Sequence, residues 1–185
     1  MASAWGDSEG ILTRSLESSE DRPSSAKTIK IDGRGGVSSV AFLVDGKHVV
    51  SGDVEGKIRR WRVENGMRVG MLMNAESDVY SIAMSRDGKW IVSGTLGSVQ
   101  VWNAETRKRV TNFKGHSSWS VYAVDVSPDS TRIASGSFDK TVCVWLLSTG
   151  QRLLGPWKHD DSVFAVKFSH DGRFIATATW HSILI

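Results

Sequence analysis

The sequence predicts an all-β protein built from one module repeated along the chain, and three observations carry that prediction. An apolar-x-apolar step recurs every 42 residues, at Val40/Phe42, Ile82/Met84, Val124/Val126 and Val166/Phe168. Each step is followed three residues later by an aspartate, at Asp45, Asp87, Asp129 and Asp171, and then by a small pair, Ser51-Gly52, Ser93-Gly94, Ser135-Gly136 or Thr177-Ala178. Tryptophan ends the first three copies, at Trp61, Trp102 and Trp145, and no stretch shows sustained helical periodicity. Self-similarity at such a period marks modules too small to bury an apolar face alone, so neighbours must stack.

Within each copy the elements follow in a fixed order. The first strand is a mixed apolar run such as Val121-Tyr122-Ala123-Val124-Asp125-Val126, suited to a pleated, half-buried surface. Asp45-Gly46, Asp87-Gly88 and Asp171-Gly172 then supply tight hairpin turns, with Asp129-Ser130 as a weaker version after Pro128. Second strands are predicted at His48-Val49-Val50, Trp90-Ile91-Val92, Arg132-Ile133-Ala134 and Phe174-Ile175-Ala176. Third strands include Lys57–Arg62 and Thr141–Trp145, and a fourth short segment is expected near Arg68-Val69, Arg109-Val110 or Arg152-Leu153.

Gly115-His116, Ser135-Gly136, Asp139 and Trp145 resemble the WD40 repeats, whose units of about 40–45 residues fold as four-stranded propeller blades. The resemblance implies an incomplete WD40-type β-propeller, with three full blades and a partial fourth. It covers roughly residues 28–185, in repeats of about 28–69, 70–110, 111–153 and 154–185. It also implies a structural hydrogen-bonded chain of His116, Ser135, Asp139 and Trp145 in the third repeat, because buried imidazole, indole and carboxylate groups each lose free energy unless paired. The first repeat offers Ser51, Glu55 and Trp61 without a Gly-His pair. In the second, Thr95-Leu96-Gly97-Ser98 is one residue shorter and carries no acid, leaving Ser93 and Trp102. The fourth has His181 where the aspartate is expected.

Residues 1–27 have a different composition. Seven serines among Asp7, Glu9, Glu17, Glu20 and Asp21 predict a disordered tail. Neither a secretory apolar core nor an 18-residue apolar run occurs, so the expected location is intracellular, the cytoplasm before the nucleus, with no membrane span. A single cysteine, Cys143, excludes an internal disulfide and reads as a small filler on a third strand.

The net charge of +3 is mild. Two basic clusters, Arg59-Arg60-Arg62 and Arg107-Lys108-Arg109, could neutralise phosphates if they sat together on one surface. Strand alternation instead sets Arg60 and Arg62 on the face opposite Trp61, an exposed blade edge where charge discourages edge pairing. Nucleic acid is therefore not the expected partner. His116, Ser135 and Asp139 superficially form a nucleophilic triad, but the resemblance assigns them to blade cohesion, and no catalytic residue is expected. Phosphate-cradling glycine loops and paired metal-ligand motifs are missing, so no cofactor, metal or small-molecule substrate is expected.

The expected function is a non-enzymatic scaffold for protein–protein interactions. Positions flanking the first strands, and those before the later turns, carry partner contacts in the resembled family. By position they are Asp78 and Tyr80, Ser120 and Tyr122, and Ser162 and Phe164, then Val54, Phe138 and Trp180. Tyr80, Tyr122 and Phe164 share one phase of the repeat, where the first copy has Ser38. They either form a stripe along one face or fill the space between blades, and solvent exposure separates the two. Three and a half blades leave sheet faces unpaired. The expected cover is another WD40 propeller or a second copy of the chain, unless the chain is a gene product cut short inside a strand after Trp180. The alternative function is a sensor or regulatory fragment of a larger signalling protein or enzyme.

Overall fold

A computed structural model describes Thr28 and residues 35–117 and 119–185. The predicted tail, residues 1–27, lies outside the described residues. Fifteen strands and no helix occur among the described residues. They form four antiparallel sheets in strict sequence order. The first holds β1 (Val37–Phe42), β2 (His48–Asp53), β3 (Lys57–Arg62) and β4 (Met73–Asn74). The second holds β5 (Val79–Met84), β6 (Trp90–Thr95), β7 (Ser98–Asn103) and β8 (Arg109–Lys114). The third holds β9 (Val121–Val126), β10 (Arg132–Ser137), β11 (Thr141–Leu146) and β12 (Arg152–Lys158), and the fourth β13 (Ala165–Phe168), β14 (Ile175–Ala178) and β15 (Ile183–Leu184).

The turn that follows the first strand explains the recurring aspartate. Ser85, Ser127 and Ser169 each donate a hydroxyl to Asp87, Asp129 and Asp171 (2.6, 2.5 and 2.6 Å) and accept the N–H of Trp90, Arg132 and Phe174 at 2.9 Å. The residue after the aspartate sits at positive φ, whether Gly88, Ser130 or Gly172. The bond from Ser127, working against partial burial, is the main reason Asp129 is held down at about 2.

The first sheet departs from expectation in its fourth strand, which lies at Met73–Asn74 rather than near Arg68-Val69. The earlier segment does run beside β3, with Val69 N–H donating to Arg60 C=O at 2.8 Å and a single bridge between Trp61 and Arg68. Gly70, at φ 73°, then breaks the run, and pairing resumes only opposite Ile58 and Lys57. The fourth strands β8 and β12 likewise straddle the expected repeat limits at residues 110 and 153.

Adjacent sheets pack face to face through the recurring positions. Glycine of the small pair is required there, because a Cβ on Gly136 would stand 2.6 Å from Val163 and one on Gly94 2.6 Å from the Val121 carbonyl of the following sheet. First strands are also stitched across sheets: Ser39 and Ser81 accept the N–H of Ile82 and Val124 (2.9 and 3.1 Å), and Asp125 accepts that of Phe168 (2.8 Å). Ile82, Val124 and Val166 are consequently 7% exposed or less, whereas Val40, in the same phase on the first sheet, is 62% exposed. At the other end Ile183 is 75% exposed, while its counterparts Ile58, Val99 and Val142 are fully buried.

Candidate protein-binding face

The strand-to-strand network of the third blade runs in one direction. Trp145 Nε1–H donates to Ser135 Oγ at 2.8 Å, and Ser135 Oγ lies 2.7 Å from His116 Nε2. His116 Nδ1 is 3.2 Å from Asp139 and 3.0 Å from Thr141 Oγ1. Burial, only partly offset by the Asp139 charge, pushes the His116 imidazole below its ordinary range, so it is neutral near pH 7. A neutral ring with its proton on Nδ1 donates to Asp139 and accepts the Ser135 hydroxyl through Nε2, which leaves every member satisfied. Asp139 is held below the usual carboxylate range: burial works against this, and the Thr141 hydroxyl, the Ser117 N–H and His116 outweigh it. Gly115 precedes the histidine because a Cβ there would stand 2.5 Å from the Trp145 ring.

The other blades keep part of this arrangement. Trp61 donates to Ser51 at 2.8 Å and Trp102 to Ser93 at 3.0 Å. In the first blade the turn carboxylate comes from Asp53, two positions before Glu55. It accepts the N–H groups of Glu55 and Lys57 (3.0 and 2.8 Å) and pairs with buried Arg59. Arg59 is therefore interior, whereas Arg62 is exposed and Arg60 half-buried. In the second blade Thr95 and Ser98 bond each other at 2.7 Å. Beside them opens a cavity of about 440 Å³ lined by Glu76, Leu96, Gln100, Asn112, Lys114 and His116.

Ser135 is fully buried and its hydroxyl is committed to indole and imidazole, so it offers no nucleophile to a substrate. Among the described residues no group of three or more His, Cys, Asp or Glu side chains converges on one point. Cys143 is a buried free thiol, pushed up by that burial. Again among the described residues, no helix is long and apolar enough to cross a membrane.

The aromatic residues, by contrast, meet at one end of the sheets. Tyr80 and Tyr122 contact edge to face at 5.4 Å, Tyr122 stacks on Phe164 at 5.3 Å, and Phe164 reaches Trp180 at 4.7 Å. Phe138 touches Tyr122 at 5.9 Å. All three rings of the shared phase are half-buried, while Phe138 and Trp180, at the β10–β11 and β14–β15 turns, are 41% and 72% exposed. The series begins at Tyr80 because the first blade has Ser38, whose hydroxyl bonds the Gly52 and Val79 carbonyls. Asp78 is half-buried and accepts the Tyr80 hydroxyl at 3.2 Å. Ser120 and Ser162 are buried, tied respectively by a carbonyl to Ser137 and by a hydroxyl to the Phe138 carbonyl. Val54 is exposed at the equivalent turn of the first blade.

Trp119, which sequence reasoning missed, belongs to the same cluster. It is 55% exposed and lies 5.2 Å from Phe138. Its place immediately before Ser120 was the available signal, but Ser77 and Asp161 occupy that phase in the neighbouring copies.

Comparison with known proteins agrees with this architecture. The family model described as WD domain, G-beta repeat matches residues 25–62, 67–103, 107–145 and 152–185. Eukaryotic translation initiation factor 3 subunit I of Neurospora crassa is 36% identical over 114 residues, 61% of this chain and 32% of that protein. Apoptotic protease-activating factor 1 of Rattus norvegicus is 28% identical over 94% of this chain and 14% of its own length. The chain thus spans a third or less of these relatives. The solved structures of U3-55K and of the RRP9 WD40 repeats each superpose with a TM-score of 0.71 at 22% identity, covering 79% of this chain and 46% of theirs. With its four matched repeats folded as successive β-propeller blades, the chain belongs to the WD40-repeat family.

Proposed function

We propose that this chain is a non-enzymatic scaffold that binds a protein partner through the aromatic end of its blades. One observation carries the reading: six aromatic side chains from three consecutive blades form a contiguous cluster, with Trp119, Phe138 and Trp180 open to solvent. Aromatic groups of this kind dominate interface energetics because they offer large contact area at low entropic cost. Half-buried Tyr80, Tyr122 and Phe164 form the floor, and the exposed rings are the anchors. A partner contributes apolar side chains to this floor, and the cavity behind Leu96 supplies polar groups at its margin.

The test compares proteins captured by the wild-type chain with those captured by a Phe138→Ser, Trp180→Ser variant and by a Leu154→Ser control on the outer strand β12. Partners retained by wild type and control and lost by the double variant support the reading. Equal retention by all three sinks it.

A second reading, a sensor or regulatory segment of a larger signalling protein, is favoured by the match to the apoptotic protease-activating factor, which spans nearly all of this chain and a small part of that protein. In that case the same face receives the signal.

A further inference from the structure

The two basic clusters meet across the boundary between the first and second blades. Arg59 is consumed by Asp53, and Arg109 by a two-point pair with Glu76 at 3.0 and 3.3 Å. Of the other four, Arg62 and Lys108 are exposed, and Arg60 and Arg107 are half-buried. Arg60 lies on β3, on the face that carries Ile58 into the core shared with the second blade. Its carbonyl accepts Val69 N–H, which places Gly70 next to it. Arg107, from the β7–β8 turn of the second blade, lays its guanidinium over Gly70, where any Cβ would fall inside the guanidinium itself. The two cations are thus neighbours: burial pushes Arg60 down, Asp45 works against this, and Arg107 adds to it.

Two features mark this pair as more than a solvated edge. The Nε–H groups of Arg60 and Arg107 are both buried and have no acceptor. Arg60 spends its terminal nitrogen on Asp45 and His48 (3.3 and 3.0 Å), and no carboxylate is paired with Arg107 among the described residues. Arg107 is also backbone-strained, with φ 60°. It lies five residues after Trp102, and the same position after Trp61 and Trp145 is glycine, Gly66 at φ 70° and Gly150 at φ 74°. Glycine adopts this conformation freely and arginine does not, so the second blade gives up stability to keep a cation here.

From this geometry we infer that Arg60 and Arg107 form a binding site for a single phosphoryl group, carried on a phosphorylated side chain of a partner protein. Two adjacent, half-buried guanidinium groups, one of them without a carboxylate partner among the described residues, offer their outer N–H donors to an acceptor with several oxygens and about two negative charges, which a phosphoryl group supplies.

The experiment uses the full chain and follows its thermal midpoint and its arginine Nε–H resonances at constant ionic strength. O-phosphoserine as an amide-capped amino acid, inorganic phosphate, acetate and a single-stranded oligonucleotide serve as probes. The expected result is a raised midpoint and shifted Arg60 and Arg107 signals with capped phosphoserine, larger than with acetate. Inorganic phosphate matching those shifts supports the phosphoryl site itself, whereas an effect of inorganic phosphate without one of phosphoserine overturns a partner side chain as the source. Arg107→Gly should weaken phosphoserine binding about tenfold or more, the loss expected for a charge-assisted hydrogen bond, while leaving the unliganded midpoint unchanged or higher. Arg107→Asn, which tolerates positive φ, should behave alike. Acetate equal to phosphoserine, tighter binding of the oligonucleotide, or a lowered unliganded midpoint in both variants with no phosphoserine effect on the wild type would each overturn the site.

Discussion

His116 illustrates how one residue type couples fold to solution conditions. Its folded-state pKa lies below the ordinary value of 6.5 because burial and the Arg152 charge disfavour imidazolium more than Asp139 favours it. As pH falls, the unfolded chain takes up this proton first. The stability from neutral His116 is therefore whole above about pH 6.5 and declines as pH falls toward the folded-state value. The expected outcome is a thermal midpoint that drops between pH 7 and pH 5 in the wild type, and a flatter profile in His116→Gln. His116→Ala should cost about 1–3 kcal/mol, since it leaves a buried hydroxyl and carboxylate short of a partner, measurable by denaturant unfolding. His116, Ser135, Asp139 and Trp145 were legible in the sequence because each sits at its familiar spacing. Asp53 and Arg59 were not, because the turn acid of the first blade is displaced by two positions and its partner comes from the next strand.

Among the elements, the small pair on each second strand sets how closely blades approach. Gly94 and Gly136 have no room for a methyl group, whereas Ala178, in the same phase, faces no further blade among the described residues. Gly136→Ala is expected to destabilise by about 1–3 kcal/mol through overpacking against Val163 and Val166, with Gly36→Ala, in open space, as a neutral control. Chemical unfolding of the two variants checks this. The first two strands of each blade follow from apolar runs and aspartate turns, and the third strands of the first and third blades from hydrophobic alternation, so these were readable in order. The fourth strand of the first blade was not, since Arg68-Val69 starts to pair and the positive-φ Gly70 shifts the ladder to Met73. The meeting of Arg60 with Arg107 was equally hidden, being a contact through space between blades.

For the whole molecule, the two end faces expose the positions that every internal interface buries, as Val40 and Ile183 show. The first-blade face and the fourth-blade face are therefore complementary in the same sense as successive blades. The 185-residue polypeptide is expected to sediment as dimers or larger species at micromolar concentration, shifting toward monomer with Val40→Ser or Ile183→Ser. A single monomeric boundary for the wild type, by analytical ultracentrifugation, would contradict this.

The aromatic end of the blades is the claim on which function rests, and it was partly visible in advance: the repeat phase located Tyr80, Tyr122 and Phe164, while Trp119 lies in no shared phase. The most direct measurement is the hydrogen-exchange footprint of a captured partner on the full chain. Protection concentrated at residues 119–122, 137–140 and 179–182 is the predicted result. Protection confined to the outer strands β8 and β12, with those three segments unchanged, would contradict it.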